Sequence, residues 1–394
     1  MPLKPHTSAS TPGIDALRRA LLATRVTARS DLSESYDFII VGGGTAGCTL
    51  AARLSEDPSV TVLLLEAGGD DAEFNNVEVP AACSLLHDPK ASWMLRSEVQ
   101  ANGALQRSKV DGVCGRMHLP RGKVLGGCSS TNYMAYVRGS PADFDGWAAN
   151  HGASGWSYAR VLPYFKRSEM LRRFEEGNAA ASLGVPTSND RDMWHGTSGA
   201  LSVEVKTPVN PIARAFITSA AESGTCTVGD YNAGPTAAEH ERAALFQTTV
   251  RRGVRCSSSL AFIRPAMKEG RPNLHVALHA RVGRVLLDPG AANGKPRAVG
   301  VQVLFVDPNC PDPELDAMHR AQHAGVLETK NIAAAREVVL AAGAFHSPQL
   351  LLLSGIGPAE DLMQLGIPTA VDSPQVGRRV YLFTVTHVMS CESC

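Results

Sequence analysis

Gly42, Gly44 and Gly47 stand in G-x-G-x-x-G spacing, and Glu66 follows 19 residues after the last of them. These residue types at this spacing suit the binding of a dinucleotide. Gly42 allows a tight turn out of a strand, Gly44 lets backbone approach a pyrophosphate with no Cβ in the way, and Gly47 lets a helix pack close to that strand. Thr45 and Ala46 open the helix, where unpaired N–H groups and the positive end of the dipole face phosphate oxygens. A carboxylate at Glu66 can accept both hydroxyls of a ribose. The chemistry such a site serves is redox transfer through a bound dinucleotide. These residues do not separate NAD from FAD, and a glycine-rich structural turn with Glu66 as a strand-end charge is the other reading.

The elements needed to place these residues are legible. Phe38–Val41 is a short apolar run read as a buried strand, Ala46–Leu54 has helical spacing, and Val60–Leu65 is a second apolar strand ending at Glu66. Further on, "NLHVALHARVGRVLL" (273–287) alternates like a strand pair. "AREVVLAAGAF" (335–345) reads as a strand leading to Gly343, and "SPQLLLLSGIGP" (347–358) as a helix with Ser347 as N-cap and Pro348 in its first turn. Before these, within 196–250, "ALSVEV" is strand-like and an apolar-periodic helix lies around Pro211–Glu222. Segments 175–195, 287–297 and 307–330 read as loops.

Length and composition bound the rest. A chain of 394 residues suggests about two domains. With 44% hydrophobic and 19% charged residues it is expected to be packed and globular. Net charge is zero, so nucleic acid is not an expected partner. No apolar run is long enough to span a membrane. The nine scattered cysteines suit a reducing compartment rather than a disulfide framework. Cys391 and Cys394 alone cannot close a four-ligand zinc site, and no metal is expected. Residues 1–33 begin with an Arg-, Ser- and Thr-rich stretch that reads as a transit peptide or a disordered tail. Such a leader permits a plastid or mitochondrion, and its absence the cytoplasm, so these residues leave the compartment open.

"GKVLGGCSSTNYMAYVRGSPADFDGW" (122–147) and "GAFHSPQLLLLSGIG" (343–357) resemble the two signatures of the glucose–methanol–choline (GMC) oxidoreductases. "GTSGALSV" (196–203), "GVRCSSSLAFIRP" (253–265) and "NLHVALHARVGRVL" (273–286) resemble the family in the same order. The resemblance covers about residues 36–376. It includes choline-dehydrogenase-like and fatty-acid-photodecarboxylase-like members. It implies an α/β fold: a Rossmann-like FAD-binding domain, with an incomplete α+β substrate-binding domain. The FAD-binding domain is expected in two pieces, 34–195 and 251–376, with the substrate-binding domain starting in 196–250. Gly126–Gly127 permit close approach to a flat ring system, and Ser129, Ser130, Thr131 and Asn132 offer short hydrogen-bonding groups. By resemblance, Val124, Asn132 and Ala135 would lie against the flavin, and the backbone of Val282 would meet the adenine. Some choline-oxidising relatives carry a flavin-linked histidine where this chain has Thr131, so the FAD is expected to be non-covalent.

The resemblance implies an oxidoreductase acting on CH–OH donors by hydride transfer to FAD, with a small-molecule substrate. Family chains continue "VG-x-N-L-x-D-H"; here Arg379 stands at the Asn position, and Leu382 and Phe383 at the Asp–His positions. Residues 377–394 are therefore expected to form a non-family tail on a truncated chain. The family's catalytic histidine belongs to the part expected to be missing, so no catalytic residue is assigned. His195 and His346 sit in family motifs and read as structural. Two other readings stay open: a non-catalytic flavin-binding fragment or interaction protein, and an NAD-dependent dehydrogenase. Substrate and oligomeric state are not set by these residues.

Overall fold

The computed structural model describes residues 26–86, 88–99, 116–172, 183–186, 193–205, 209–224, 226–236, 242–290, 295–307 and 326–378. Most of the expected leader, most of the expected tail and its Cys391–Cys394 pair lie outside the described residues. Along the chain come strand β1 (Ser35–Val41), helix α1 (Thr45–Leu54) and strand β2 (Val62–Leu65). Helices α2 (Pro141–Asn150) and α3 (Tyr158–Ser168), strands β3 (Glu169–Leu171) and β4 (Leu201–Val205), helix α4 (Pro211–Glu222) and strand β5 (Gln247–Thr248) follow. Strands β6 (Leu274–Ala277), β7 (Ala280–Asp288), β8 (Arg297–Val306) and β9 (Val326–Leu340) then lead to helix α5 (Gly343–Leu353).

The described residues divide into two compact units: those within 26–77, 82–131 and 258–378 in the first, and those within 78–81 and 132–257 in the second. The second unit is larger than the excursion expected at 196–250, because residues 132–195 belong to it. A buried ion-pair network described below ties Arg138, Glu169 and His195 together.

The first unit is built on a six-stranded sheet in the order β6-β2-β1-β9-β8-β7. β6, β2, β1 and the second half of β9 run parallel, with Phe38 opposite Val62, Val62 opposite Leu274 and Val41 opposite Leu340. Ile39, Ile40 and all four residues of β2 are buried, which is why these strands read as continuous apolar runs. The first half of β9 instead pairs antiparallel with β8, and β8 with β7. β9 thus joins a parallel layer to a three-stranded meander. It starts at Val326, inside the segment expected to be a loop; its exposed, charged "LETKN" stretch hides the strand.

β6 and β7 are strands as expected, but they do not pair with each other. The backbone of Glu66 separates them: its N–H donates to Ala277 O (2.9 Å), and its carbonyl accepts from Ala280 N (2.8 Å). Helix α5 also differs. It starts at Gly343, four residues before the expected N-cap, and the Ser347 hydroxyl accepts from Ala342 N instead (3.1 Å). Residues 26–33, set aside with the leader, lie on this unit: Thr27 N donates to Val276 O (2.8 Å), and Leu32 is buried in the core.

The second unit carries a small sheet, β3-β4-β5, with β3 and β4 parallel. Helix α2 opens with a capping box formed by Ser140 and Asp143, and Pro141 occupies its first turn. Phe144, Tyr158 and Val161 form a local core for α2 and α3. "ALSVEV" and Pro211–Glu222 fold as the strand and helix the pattern predicts. Among the described residues, no helix is long and apolar enough to cross a membrane.

Candidate dinucleotide site

β1 delivers its chain to Gly42, which takes φ +102, a conformation that favours glycine. The turn feeds α1, whose buried face is Gly47, Cys48, Ala51 and Ala52. The small residues are required by distance: a Cβ built on Gly47 falls 1.9 Å from the Gly42 carbonyl oxygen. Gly47→Ala is therefore expected to push α1 off β1 and abolish cofactor binding. By contrast Gly146→Ala, inside α2 with no atom nearer than 3.9 Å, is expected to stabilise by about 0.5–1 kcal/mol. Thermal melting of both variants, with FAD titration of the first, checks the pair.

Gly44 is the N-cap of α1, and no side chain caps that end. A Cβ on Gly44 would meet Ala341 O and Gly127 Cα, both at 3.9 Å, an ordinary contact distance. Facing Gly44 is Gly127, at φ +53, where a Cβ would fall 2.6 Å from Gly44 Cα. Segment 124–127 is held there by backbone bonds: Leu125 N to Gly69 O (2.9 Å), Gly126 N to Gly43 O (2.7 Å) and Gly127 N to Val124 O (2.7 Å).

Glu66 ends the β2 run and is 6% exposed. One carboxylate oxygen accepts from Gly43 N and the other from Gly68 N, both at 2.8 Å. Burial pushes its pKa up to about 7, against the lowering effect of those N–H groups and of Lys123. Each oxygen keeps a second lone pair for a donor from outside.

The structure thus gathers Gly42, Gly44, Thr45, Ala46, Gly47, Glu66, Val124 and Gly127 in the first unit. Val282 lies two residues along β7 from the Ala280–Glu66 bond, opposite Val303. Asn132 and Ala135 belong to the second unit. There Asn132 Oδ1 accepts from Met134 N (3.0 Å) and Arg255 (3.0 Å), and Ala135 bridges to Thr248. Ser130, offered by the sequence as a ligand donor, instead turns inward: it is fully buried, 3.0 Å from Asp71 and from Leu125 O. The Ser129 hydroxyl donates to Gly126 O (2.6 Å). Burial raises the Cys48 thiol to about 12, so it packs as a small apolar group.

Both weighed histidines have structural surroundings. His346 stacks on Trp93 with ring centroids 4.3 Å apart, and burial with Arg281 and Arg121 lowers its pKa to about 4. His195 is enclosed by two carboxylates in the second unit: Glu169 at 2.8 Å and Asp230 at 2.5 Å. Arg138 also pairs with Glu169. The sequence reading missed the partners of these groups, and it missed the acidic pair Asp70–Asp71 with Arg264, whose residues lie nearly 200 positions apart.

An uncapped helix N-terminus, a glycine approach from the opposite side and a buried carboxylate fit the pyrophosphate and ribose of a dinucleotide. The comparisons agree with that fit. Residues 36–385 match the GMC oxidoreductase family, a match that runs nine residues beyond 376. The chain is 37% identical over 343 residues to an oxygen-dependent choline dehydrogenase of Rhizobium etli, covering 86% of this chain and 51% of that protein. It is 35% identical to a glucose dehydrogenase [FAD, quinone] of Drosophila pseudoobscura pseudoobscura, covering 90% and 48%. Pyridoxine 4-oxidase from Mesorbium loti superposes with a TM-score of 0.68 at 30% identity, covering 86% of this chain and 56% of that one. An FAD-dependent oxidoreductase from Chaetomium thermophilum gives the same TM-score and identity, covering 86% and 51%. The chain spans about half the length of these relatives. Its fold, its dinucleotide cradle and its match over residues 36–385 together place it in the GMC oxidoreductase family.

Proposed function

We propose that this chain forms the FAD-binding part of a GMC-type oxidoreductase acting on CH–OH donors, and that it holds FAD without a covalent bond. The observation that carries the reading is the cradle of Gly44, Gly127 and Glu66 around the uncapped start of α1. When bound, FAD supplies the hydride acceptor. The chain's own residues do the holding. The N–H groups of Thr45 and Ala46 would hold the pyrophosphate, the second lone pairs of Glu66 would accept from the ribose, and Gly127 would keep the opposite wall free of side chains. Thr131, at the position where some relatives bond the flavin, has a hydroxyl in place of an imidazole.

The test is a visible absorbance spectrum of the purified 394-residue chain before and after denaturation. A flavin band released into solution on denaturation is expected. A band that stays with the protein would overturn the non-covalent reading, and nicotinamide binding without flavin binding would restore the dehydrogenase reading. The enclosure of His195 and the Trp93 stack on His346 favour a second reading for the chain by itself, a flavin-binding part without turnover. Bleaching of the flavin by an alcohol under anaerobic conditions would count against it.

A further inference from the structure

A buried polar network lies behind the glycine wall and makes none of the contacts assigned above to FAD. Asp71 is 5% exposed and follows the loop that leaves β2. One of its oxygens lies 3.0 Å from the Ser130 hydroxyl, whose single proton is shared with Leu125 O at the same distance, and the other accepts from the Ser259 hydroxyl (3.0 Å). The Arg264 guanidinium reaches both Asp70 and Asp71. Asp71 is thereby locked from the side of 259–264 and reaches segment 126–131 through Ser130.

The Ser130 hydroxyl sits directly behind the wall: a Cβ on Gly126 would fall 2.1 Å from it. Gly126 and Gly127, at φ +86 and +53, are the residues that stand opposite Gly43 and Gly44. The contact order is then Arg264, Asp71, Ser130, Gly126–Gly127 and Gly44 at the start of α1. Displacing Ser130 moves that wall, and an ångström-scale displacement is enough to disturb a positioned ligand.

We propose that Asp71 is a positioning residue for the cofactor. Held by Arg264, it sets through Ser130 how far Gly127 stands from Gly44, and so governs affinity for FAD without touching it. This rests on the FAD-binding reading above.

The test titrates FAD into the full 394-residue chain. It follows flavin fluorescence and the visible circular dichroism of the bound flavin, alongside melting of the chain without FAD. Ser130→Ala removes the link and leaves the Asp71–Arg264 pair in place. It is expected to weaken FAD about tenfold, a loss of about 1.4 kcal/mol, and to change the visible circular dichroism. A side chain that served only the fold would lower the melting temperature of the FAD-free chain and leave the affinity of the folded chain within twofold. That result for Ser130→Ala overturns the proposal. Asp71→Asn combined with Ser130→Ala is expected to lose no more affinity than the larger of the two single losses, and additive losses overturn the route through Ser130. If Asp71→Asn does not fold, Ser130→Ala decides alone. Failure of the unsubstituted chain to bind FAD would overturn the FAD reading and this inference together, whereas tight binding that Ser130→Ala leaves intact would overturn only the inference.

Discussion

FAD affinity is expected to rise with pH between about 6 and 8, by close to tenfold per unit where Glu66 is mainly protonated. The cause is the burial of Glu66, which lifts its pKa to about 7. Ribose hydroxyls donate to an ionised carboxylate, and a protonated Glu66 loses acceptor capacity. The sign for stability runs the other way. In the folded chain Glu66 holds its proton more tightly than in the unfolded chain, whose ordinary value is 4.5. Its contribution therefore falls as pH rises from about 4.5 through about 7. FAD binding then offsets at neutral pH what the ionised carboxylate costs.

Glu66→Gln separates these effects. Gly43 N and Gly68 N both need an acceptor, and an amide offers one oxygen and one NH₂ group. The variant is expected to lose about 1–3 kcal/mol of stability from the N–H group left facing the amide nitrogen. Its FAD affinity is expected to be lower at pH 8 and nearly independent of pH. Titrations at pH 6, 7 and 8 on both proteins check this. A flat profile in the unsubstituted chain, or an equal slope in Glu66→Gln, would remove Glu66 as the titrating group.

The contrast between the two units explains what the sequence could disclose. The glycines at 42, 44 and 47, strands β1 and β2 and Glu66 lie within some thirty residues, and their meaning is local. Backbone sterics and period fix it before any tertiary contact forms. The start of α5 was not legible. Ser347 followed by Pro348 is a normal start signal, but the strand end already places Gly343 in position at φ +86, and Ser347 is taken by Ala342 N. The same holds for the pairing of β6 and β7. Alternation marks both strands, yet only the placement of Glu66 between them decides that they separate. The reach of the second unit back to 132 is marked by Arg138 meeting Glu169 and the carbonyl of Trp194, residues 31 and 56 positions away. Neither residue type nor spacing announces such a meeting, because buried charges are chosen by their neighbours.

His195→Ala is expected to be among the most destabilising single substitutions in the second unit. The His195 side chain is fully buried, with one ring nitrogen on Glu169 and the other on Asp230. Burial lowers its pKa, but the two carboxylates outweigh that and raise it, favouring the charged ring between two acceptors. Arg138 remains for Glu169 after the substitution, and Gln247 and Asn232 still donate to Asp230 (2.6 and 2.9 Å). Asp230 nevertheless loses its cation in a buried place. Removing one partner of such a group costs about 3–5 kcal/mol, far more than an intact pair contributes over apolar packing. The folded pKa of His195 lies above its ordinary 6.5. Its stabilisation is therefore fully present below about pH 6.5 and is lost as pH rises through the folded value. Two units do not license a single unfolding free energy, so the readout should be local. Amide exchange in β3 and β4 is expected to speed up as pH rises above about 6.5 through the folded value, after correction for intrinsic exchange, and to be fast and independent of pH in His195→Ala. Unchanged protection of these strands in the variant would show that the two carboxylates are held by something other than the imidazolium. Retention of FAD at the first unit despite faster exchange would show that the network serves the fold of its own unit and not the cofactor.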